Sequence, residues 1–330
     1  MSTSSSTSPA AAVAVPSSTA VSRFAALRGS TIFYPLVGLI VVSVLMAFAG
    51  EAFLSADNFA NIARQISVIA IIAVGMTFVI LSGGIDLSVG AVMALTGTIA
   101  AGLMAGGLNP ALAFLAAMLI GIGFGALNGA LIAYAGMPSI IVTLATMGIA
   151  RGLALIYSGG YPIDGLPQWV SVFGSGAVAG LPVAALITIG LYLVAWTILA
   201  RTAFGRHVYA IGGNEVATRL SGIRVGRDKL AIYTISGATS ALAGFVMTSR
   251  LMSGQPNAGV GFELDAIAAV VLGGTAIIGG RGSVIGTLIG ALLLGVLNNG
   301  LNMIGVDPYV QNVIKGVIIL LAIYIGRTRG

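Results

Sequence analysis

Charge is scarce in this sequence, and cysteine is absent. Only 7% of the 330 residues are Asp, Glu, Lys or Arg, whereas a soluble globular domain carries about 25%. Without cysteine the chain has no disulfide, no cysteine-ligated metal site and no thiol nucleophile. A single histidine, His207, leaves little scope for histidine metal ligation or general-base catalysis. The 58% of hydrophobic residues and the mean hydropathy of +1.07 indicate that the solvent of this chain is a lipid bilayer.

The positive net charge does not indicate nucleic-acid binding. The formal net charge is +6, but no run of Lys or Arg is interleaved with aromatic residues. The first 22 residues, MSTSSSTSPAAAVAVPSSTAVS, lack the basic segment and the sustained apolar segment of a signal peptide. We therefore expect a disordered cytoplasmic tail over residues 1–30, followed by a membrane domain over residues 31–330.

Apolar runs predict an all-α polytopic membrane protein. A bilayer core about 30 Å thick needs roughly 20 apolar residues per helix. Ten segments satisfy this requirement: 32–50, 62–81, 87–105, 110–134, 139–157, 180–200, 229–251, 265–280, 283–303 and 309–326. With both termini in the cytoplasm, eleven of the 15 basic residues lie on the cytoplasmic side. The other four are placed near the outer ends of spans: Arg64, Arg151, Arg250 and Lys315.

Glycines recur every four residues in two places. Gly121, Gly125 and Gly129 form one set, and Gly282, Gly286 and Gly290 form the other. This spacing places each set on one helix face, where two backbones pack closely in lipid. Such packing serves a channel, a carrier or a scaffold equally well.

The stretch SGGIDLSVG, residues 82–90, interrupts two apolar runs. Gly83 and Gly84 permit a tight cytoplasmic turn. Asp86 has two interpretations. It caps the following helix, where a carboxylate is stabilised by about 0.3–1 kcal/mol and Ser88 satisfies nearby amides, or it belongs to an inner gate. A similar glycine turn at residues 279–286 carries Arg281, a candidate partner for Asp86.

The longest polar connection lies at about residues 201–228. After two glycines, Asn214 is a candidate N-cap and Glu215 occupies the first turn of a short helix. Val216 and Leu220 then share one face of that helix. A short amphipathic helix here either lies in the lipid headgroup layer or docks into a soluble partner.

Polar residues inside spans and aromatic outer loops supply two further sets of candidates. For lining a passage through the membrane, or for holding helices together by hydrogen bonds, the candidates are Asn298, Asn299, Asn302, Thr143 and Thr146. For contact with an outer partner, the candidates are Tyr161, Trp169, Arg250, Glu263 and Asp265.

Three stretches, in order, resemble one known family. They are AVGMTFVILSGGIDLSVGAVMALTG (73–97), FGRHVYAIGGNEVATRLSGI (204–223) and the segment 253–306. The chain from about residue 30 resembles the membrane permease subunits of bacterial ATP-binding-cassette sugar importers, and most closely the ribose-type permeases. The resemblance implies a type II-like importer bundle that pairs with a second permease copy, a cytoplasmic ATPase subunit and a periplasmic sugar-binding protein.

The resemblance also assigns roles to residues. It implies that the helix in the 201–228 loop couples the permease to the ATPase, through Gly212, Gly213, Asn214, Glu215, Ala217, Thr218 and Leu220. ATP and Mg would then be bound by the partner, and the chain itself has no GxxxxGK[ST] phosphate loop, cofactor or metal site. We expect a non-catalytic subunit of the bacterial inner membrane.

Other functions remain open from the sequence. The cargo is ribose or another solute of the same class, such as xylose, galactose, a signalling furanose or branched-chain amino acids. A proton- or sodium-coupled carrier usually has ionisable residues in mid-span, and the predicted spans contain almost none. A structural scaffold would not need the long 201–228 loop.

Overall fold

Helices make up most of the structure. The computed structural model describes residues 33–50 and 52–327, so the tail expected over residues 1–30 lies outside the described residues. The helices are α1 (Phe33–Ala49), α2 (Ala56–Leu81), α3 (Val89–Ala105), α4 (Pro110–Ala133), α5 (Ser139–Ser158), α6 (Ser171–Gly174), α7 (Val183–Arg201), α8 (Ala203–Gly213), α9 (Glu215–Leu220), α10 (Val225–Leu251), α11 (Phe262–Leu272), α12 (Val284–Met303) and α13 (Pro308–Arg327). A 3₁₀ turn (Gln168–Val170) precedes α6, and a small antiparallel pair, β1 (Ala177–Val178) and β2 (Leu181–Pro182), precedes α7.

The long helices coincide with the predicted apolar segments. Each of the ten segments contains a helix, and among the described residues six helices are long and apolar enough to cross a membrane: α2, α4, α5, α7, α10 and α12. Two shorter apolar helices, α1 and α3, lie beside them. The chain is therefore a polytopic helical membrane protein.

The prediction of a span over residues 265–280 is wrong in its extent. Helix α11 ends at Leu272, and turns occupy the segment from Gly273 to Ser283. Glycines end the helix, because Gly273 is its C-cap and the next residue, Gly274, adopts a positive φ of 87°. At 1.5 Å per residue, the 11 residues of α11 span about 16 Å, or half of the hydrocarbon core.

The two ends of the bundle differ. Helices α8 and α9 lie at one end, which we call the loop end, and the β1–β2 pair lies at the opposite end, because α7 separates the two. Helices α2 and α12 are central, with 83% and 78% of the residues in their most apolar 18-residue stretches buried. Helices α4, α5 and α7 are peripheral, with 22–28% buried. A buried hydrogen bond of 3.1 Å from the Tyr192 hydroxyl to the Ala70 carbonyl holds α7 against α2.

Helix starts follow ordinary capping chemistry. The side chains of Ser55, Asn109 and Ser283 each accept a hydrogen bond from a backbone N–H in the first turn of α2, α4 and α12. Pro110 follows its cap at the first helical position, where its missing N–H costs nothing.

The first predicted glycine seam is confirmed. A Cβ added at Gly121, Gly125 or Gly129 on α4 would meet α10 at Gly237, Tyr233 or Leu230. These glycines therefore allow backbone-to-backbone contact between α4 and α10.

The second glycine set is only partly a seam. Gly286 and Gly290 on α12 contact Gly273 and Ala269 of α11 in the same way. Gly282 lies outside the helix in a turn with φ of 149°, which corrects its predicted place on the helix face.

Replacing one seam glycine tests this packing. Gly125→Ala forces a methyl group against the backbone of Tyr233 and Thr234, and overpacking of this kind costs about 1–3 kcal/mol. The thermal unfolding temperature of the purified protein in detergent should fall. Gly123→Ala on the same helix is the control, because a Cβ there meets nothing within 4 Å. Equal unfolding temperatures for the two variants would contradict the seam.

Candidate functional site

Helices α8 and α9 form an exposed knob at the loop end. The Thr202 side chain accepts a hydrogen bond from Gly205 N at 3.1 Å and begins α8, and the Asn214 side chain accepts one from Ala217 N at 2.9 Å and begins α9. The predicted N-cap at Asn214 is therefore confirmed. Val216 and Leu220 lie on the outer face of α9 and are 69% and 84% exposed.

The loop contains two helices, whereas the sequence predicted one. Gly212 and Gly213, which precede the predicted helix, form the last turn of α8. Thr218 is buried, and its hydroxyl donates to the Asn214 carbonyl at 2.7 Å. Of the predicted coupling residues, Gly212 packs against other backbone and Thr218 is buried, whereas the exposed ones are Gly213, Asn214, Ala217 and Leu220.

One ion pair and one histidine–carboxylate contact fix the knob to α10. The Lys229 ammonium lies 2.7 Å from a Glu215 carboxylate oxygen, and His207 Nδ1 lies 3.0 Å from an Asp228 carboxylate oxygen. Arg219 also contacts Glu215, at 3.0 Å. Partial burial acts to raise the pKa of Glu215, but the hydrogen bonds and charges of Lys229 and Arg219 outweigh it and hold that pKa below its ordinary value. Asp228 and Lys229 are neighbours in the first turn of α10, so this turn holds both knob helices.

Three distant segments meet beneath the knob, and we call this contact the glycine junction (residues 81–84, 212–213 and 279–280). Gly280 N donates to the Leu81 carbonyl at 2.9 Å. A Cβ on Gly212 would meet both Leu81 O and Gly280 N, and one on Gly279 would meet Gly83 and Gly212. The SGGIDLSVG turn, the knob and the GGRG turn are therefore in backbone contact.

A cleft of about 470 Å³ opens beside the junction. Its walls come from the connection between α4 and α5, from Glu215 and Arg219 of the knob, and from Lys229. Tyr233, which is 1% exposed, lies in its lining. The cleft separates the knob from the start of α5.

Asp86 is a buried acceptor that joins three elements. One carboxylate oxygen accepts from Ser88 N at 3.0 Å and from Ser88 Oγ at 2.6 Å, and the other accepts from Ser236 Oγ of α10 at 2.7 Å. Asn128 of α4 donates to Ser88 Oγ at 3.0 Å. Helix α3 begins at Val89, and its N-cap Ser88 makes no side-chain cap bond. Asp86 thus shapes the turn and binds α10. It does not contact Arg281, which is exposed.

Two of the five polar residues predicted to line a passage bind other helices instead. The amides of Asn299 and Asn58 exchange two hydrogen bonds of 2.9 and 3.0 Å, and Asn302 accepts from Gln311 at 2.8 Å. Thr143 and Thr146 are buried and donate to carbonyls of their own helix. The Asn299 and Asn302 contacts support the interpretation as interhelical hydrogen bonding. Asn298 Oδ1 is buried and has no partner among the described residues.

The two predicted outer loops meet at the opposite end. Ile163 and Gly254 exchange backbone hydrogen bonds of 2.9 and 2.8 Å. Tyr161 and Trp169 are 77% and 51% exposed there. Glu263 and Asp265 differ from the prediction, because they lie in the first turn of α11 and not in a loop.

Sequence reasoning missed three residues that bind the knob or Asp86. Lys229, Asp228 and Ser236 lie on α10, far along the chain from the residues they bind, and only their charge or polarity at helical spacing could have indicated them. Among the described residues, no group of three or more His, Asp or Glu side chains could hold a metal ion.

Comparisons with known proteins identify the class. The family described as "Branched-chain amino acid transport system / permease component" matches residues 58–323. The chain belongs to this family of membrane permeases, and it is a multi-pass protein of the bacterial inner membrane.

Individual relatives are similar over nearly their whole length. The chain is 48% identical to the ribose import permease protein RbsC of Bacillus subtilis, over 89% of this chain and 92% of the relative. It is 40% identical to the D-allose transport system permease protein AlsC of Escherichia coli, over 87% and 89%. It is 36% identical to the xylose transport system permease protein XylH of Escherichia coli, over 94% and 95%. No solved structure matches the chain.

The glycine junction gives a matched test. Gly212→Ala places a methyl group against the Leu81 carbonyl and Gly280 N, whereas Gly213→Ala adds one where nothing lies within 4 Å. Backbone atoms on both sides leave no room to adjust, so we expect Gly212→Ala to lower the unfolding temperature and to increase protease cleavage between α8 and α10. Gly213→Ala should behave like the wild type. The same cleavage rate in both variants would contradict the junction.

Proposed function

We propose that this chain is the membrane permease subunit of an ATP-binding-cassette importer that moves a monosaccharide into the cytoplasm. The monosaccharide that we propose as the cargo is ribose. A separate subunit hydrolyses the ATP, and the chain itself catalyses no reaction. The ribose, allose and xylose permeases that resemble it support a sugar as the cargo. The observation that carries the proposal is the exposed apolar pair Val216 and Leu220 on a knob fixed to α10 by an ion pair and a histidine–carboxylate contact.

The proposed topology has ten crossings with both termini in the cytoplasm, in a type II-like importer bundle, and α11 with the non-helical segment before it makes the eighth crossing. The loop end then faces the cytoplasm, with the coupling loop at about residues 201–228 inside a membrane domain of residues 31–330. Partners are a second copy of this chain, an ATPase subunit that binds ATP and Mg, and a periplasmic sugar-binding protein. Arg250, Tyr161 and Trp169, near the opposite end, are suited to contact the binding protein.

The contacts suggest how ATPase movement reaches the membrane. A push on α9 passes through the Glu215–Lys229 pair to the first turn of α10. Further along α10, Ser236 binds Asp86 in the turn between α2 and α3. The same turn also touches α8 at Gly212. Movement of the knob therefore shifts this turn through two contacts, one with α8 and one with α10, and the inner gate opens or closes.

Uptake by reconstituted vesicles tests the proposed activity. Vesicles that contain this chain with its ATPase subunit should accumulate radiolabelled ribose only when both ATP and the binding protein are supplied. An ion gradient without ATP should give no uptake. Accumulation driven by a proton or sodium gradient would establish the alternative, a secondary carrier. Competition by excess allose, xylose, galactose or leucine separates the cargoes of the same class.

The coupling face of α9 can be tested directly. The double variant Val216→Ala and Leu220→Ala removes the apolar contact, and truncation of such exposed anchors typically costs an interface more than about 1 kcal/mol each. Co-purification of the ATPase subunit should therefore decrease. Leu181→Ala is the control, since Leu181 is 55% exposed but lies at the opposite end. Undiminished co-purification would contradict the assignment of α9.

A further inference from the structure

Two charged side chains lie at the middle of the membrane domain. Arg151 follows the start of α5 by twelve residues, which places its Cα about 18 Å along a helix that spans about 30 Å. Glu263 precedes the end of α11 by nine residues, or about 13 Å. The start of α5 lies at the loop end, because Ser139 lines the cleft together with Glu215. The end of α11 also lies there, because Gly273 contacts Gly286 at the start of α12. The prediction that Arg151 lies near an outer end is therefore wrong.

Each of these side chains is only half satisfied by the protein. Arg151 Nη1 donates to the carbonyls of Pro256 and Ala258 at 2.7 and 2.8 Å. One Glu263 oxygen, Oε1, accepts from Gly261 N at 3.2 Å. The remaining guanidinium nitrogens and Glu263 Oε2 have no hydrogen-bond partner among the described residues. The two groups are close enough for their charges to interact, yet no ion pair joins them.

A second charged pair at similar depth is different. Asp265 and Lys315 form an ion pair of 3.4 Å, and their side chains are 15% and 18% exposed. This pair ties α11 to α13 and leaves little of either charge accessible. Arg151 and Glu263 are likewise partly exposed at the surface of a single chain, but no ion pair joins them.

Lipid cannot cover such a surface at low cost. A charged side chain at the bilayer centre costs about 2.5–3.5 kcal/mol even on the most lenient scale, and such residues almost always face a protein interior or a water-filled cavity. The neighbouring face of α5 is open, since a Cβ on Gly148 or Gly152 meets nothing within 4 Å. The same row of α5 continues to exposed Leu144 and Ile156, so the feature that requires water or protein beside this face is Arg151, with its unpaired guanidinium nitrogens.

We propose that Arg151 and Glu263 contact the sugar halfway through the membrane, and that the α5 face carrying Gly148 and Gly152 forms one wall of the passage. The opposite wall comes from a second copy of the chain. Two neighbouring sugar hydroxyls replace water by accepting from the free guanidinium N–H groups and by donating to Glu263 Oε2. This inference rests on the proposed function and assigns the passage to residues other than Thr143, Thr146, Asn298, Asn299 and Asn302.

Thiol labelling tests the passage without measuring transport. The chain has no cysteine, so Gly148→Cys and Gly152→Cys each introduce a unique target in the natural background. In vesicles that hold the full complex, a positively charged methanethiosulfonate reagent should modify both, because only a hydrated thiol ionises and reacts. Gly190→Cys on α7 is the matched control: it has equal space around it and lies among exposed Leu186, Leu193 and Val194.

The labelling outcomes are decisive in both directions. We expect Gly148→Cys and Gly152→Cys to react on the order of tenfold faster than Gly190→Cys, since a lipid-facing thiol stays protonated. Added binding protein with ribose and ATP should slow the reaction at both positions. Reaction of all three variants at the slow rate of Gly190→Cys would overturn the proposal.

Uptake by Glu263 and Arg151 variants tests the sugar contact itself. Loss of a hydrogen bond to a charged group costs about 1.5–3 kcal/mol, which is roughly tenfold or more in uptake rate. Glu263→Leu and Arg151→Met should lose this much, and Glu263→Gln, which keeps an acceptor, should lose less. An Asp265→Asn variant should lower the unfolding temperature more than it lowers uptake. Wild-type uptake by Glu263→Leu would contradict the contact.

These tests separate this inference from the proposed function. A wild-type complex that moves no sugar, while Gly148→Cys still labels rapidly, would refute the cargo and leave the water-filled face in place. A wild-type complex that transports ribose, while Gly148→Cys is as unreactive as Gly190→Cys, would refute the passage and leave the function in place.

Discussion

Every backbone N–H and carbonyl inside a bilayer needs a partner within the protein, because hydrocarbon offers none. Three stretches are not helical and therefore need partners from elsewhere in the protein: residues 82–88, 252–261 and 273–283. Each one is placed against other backbone or against a polar side chain. Gly280 N binds the Leu81 carbonyl, Gly254 binds Ile163, and Arg151 covers the carbonyls of Pro256 and Ala258. The broken regions are therefore enclosed by protein, and glycine makes the enclosure possible.

The same arrangement links the knob to the middle of the membrane. Helix α10 binds the knob through Asp228 and Lys229 at one end and packs on the α4 glycines along its length. Between these contacts it binds the buried Asp86 through Ser236. One helix thus shares contacts with the knob, with the turn between α2 and α3 and with the peripheral α4. No other described element contacts all three of these regions through the polar or backbone contacts described above.

The sequence predicted what depends on local pattern. Apolar length located the long helices, the spacing of Gly121, Gly125 and Gly129 indicated a packed face, and the Asn214–Glu215 pair indicated a helix start. Local pattern could not reveal partners that are distant along the chain. The Asp86–Ser236 contact joins residues 150 positions apart, and Lys229 gave no local sign that it would bind Glu215. The extent of α11 was also missed, since hydropathy alone does not distinguish a half-length helix followed by apolar turns from a complete span.

Helix α11 also has a consequence for how the chain is made. A segment of 11 residues that carries Glu263 and Asp265 is too short and too polar to partition into lipid by itself, since insertion needs roughly 20 apolar residues and each central Asp costs about 2.5–3.5 kcal/mol. Lys315, which neutralises Asp265, leaves the ribosome 50 residues later. During synthesis, α11 must therefore wait at the translocon until α12 and α13 arrive, and the last fifth of the polypeptide enters the membrane as one unit.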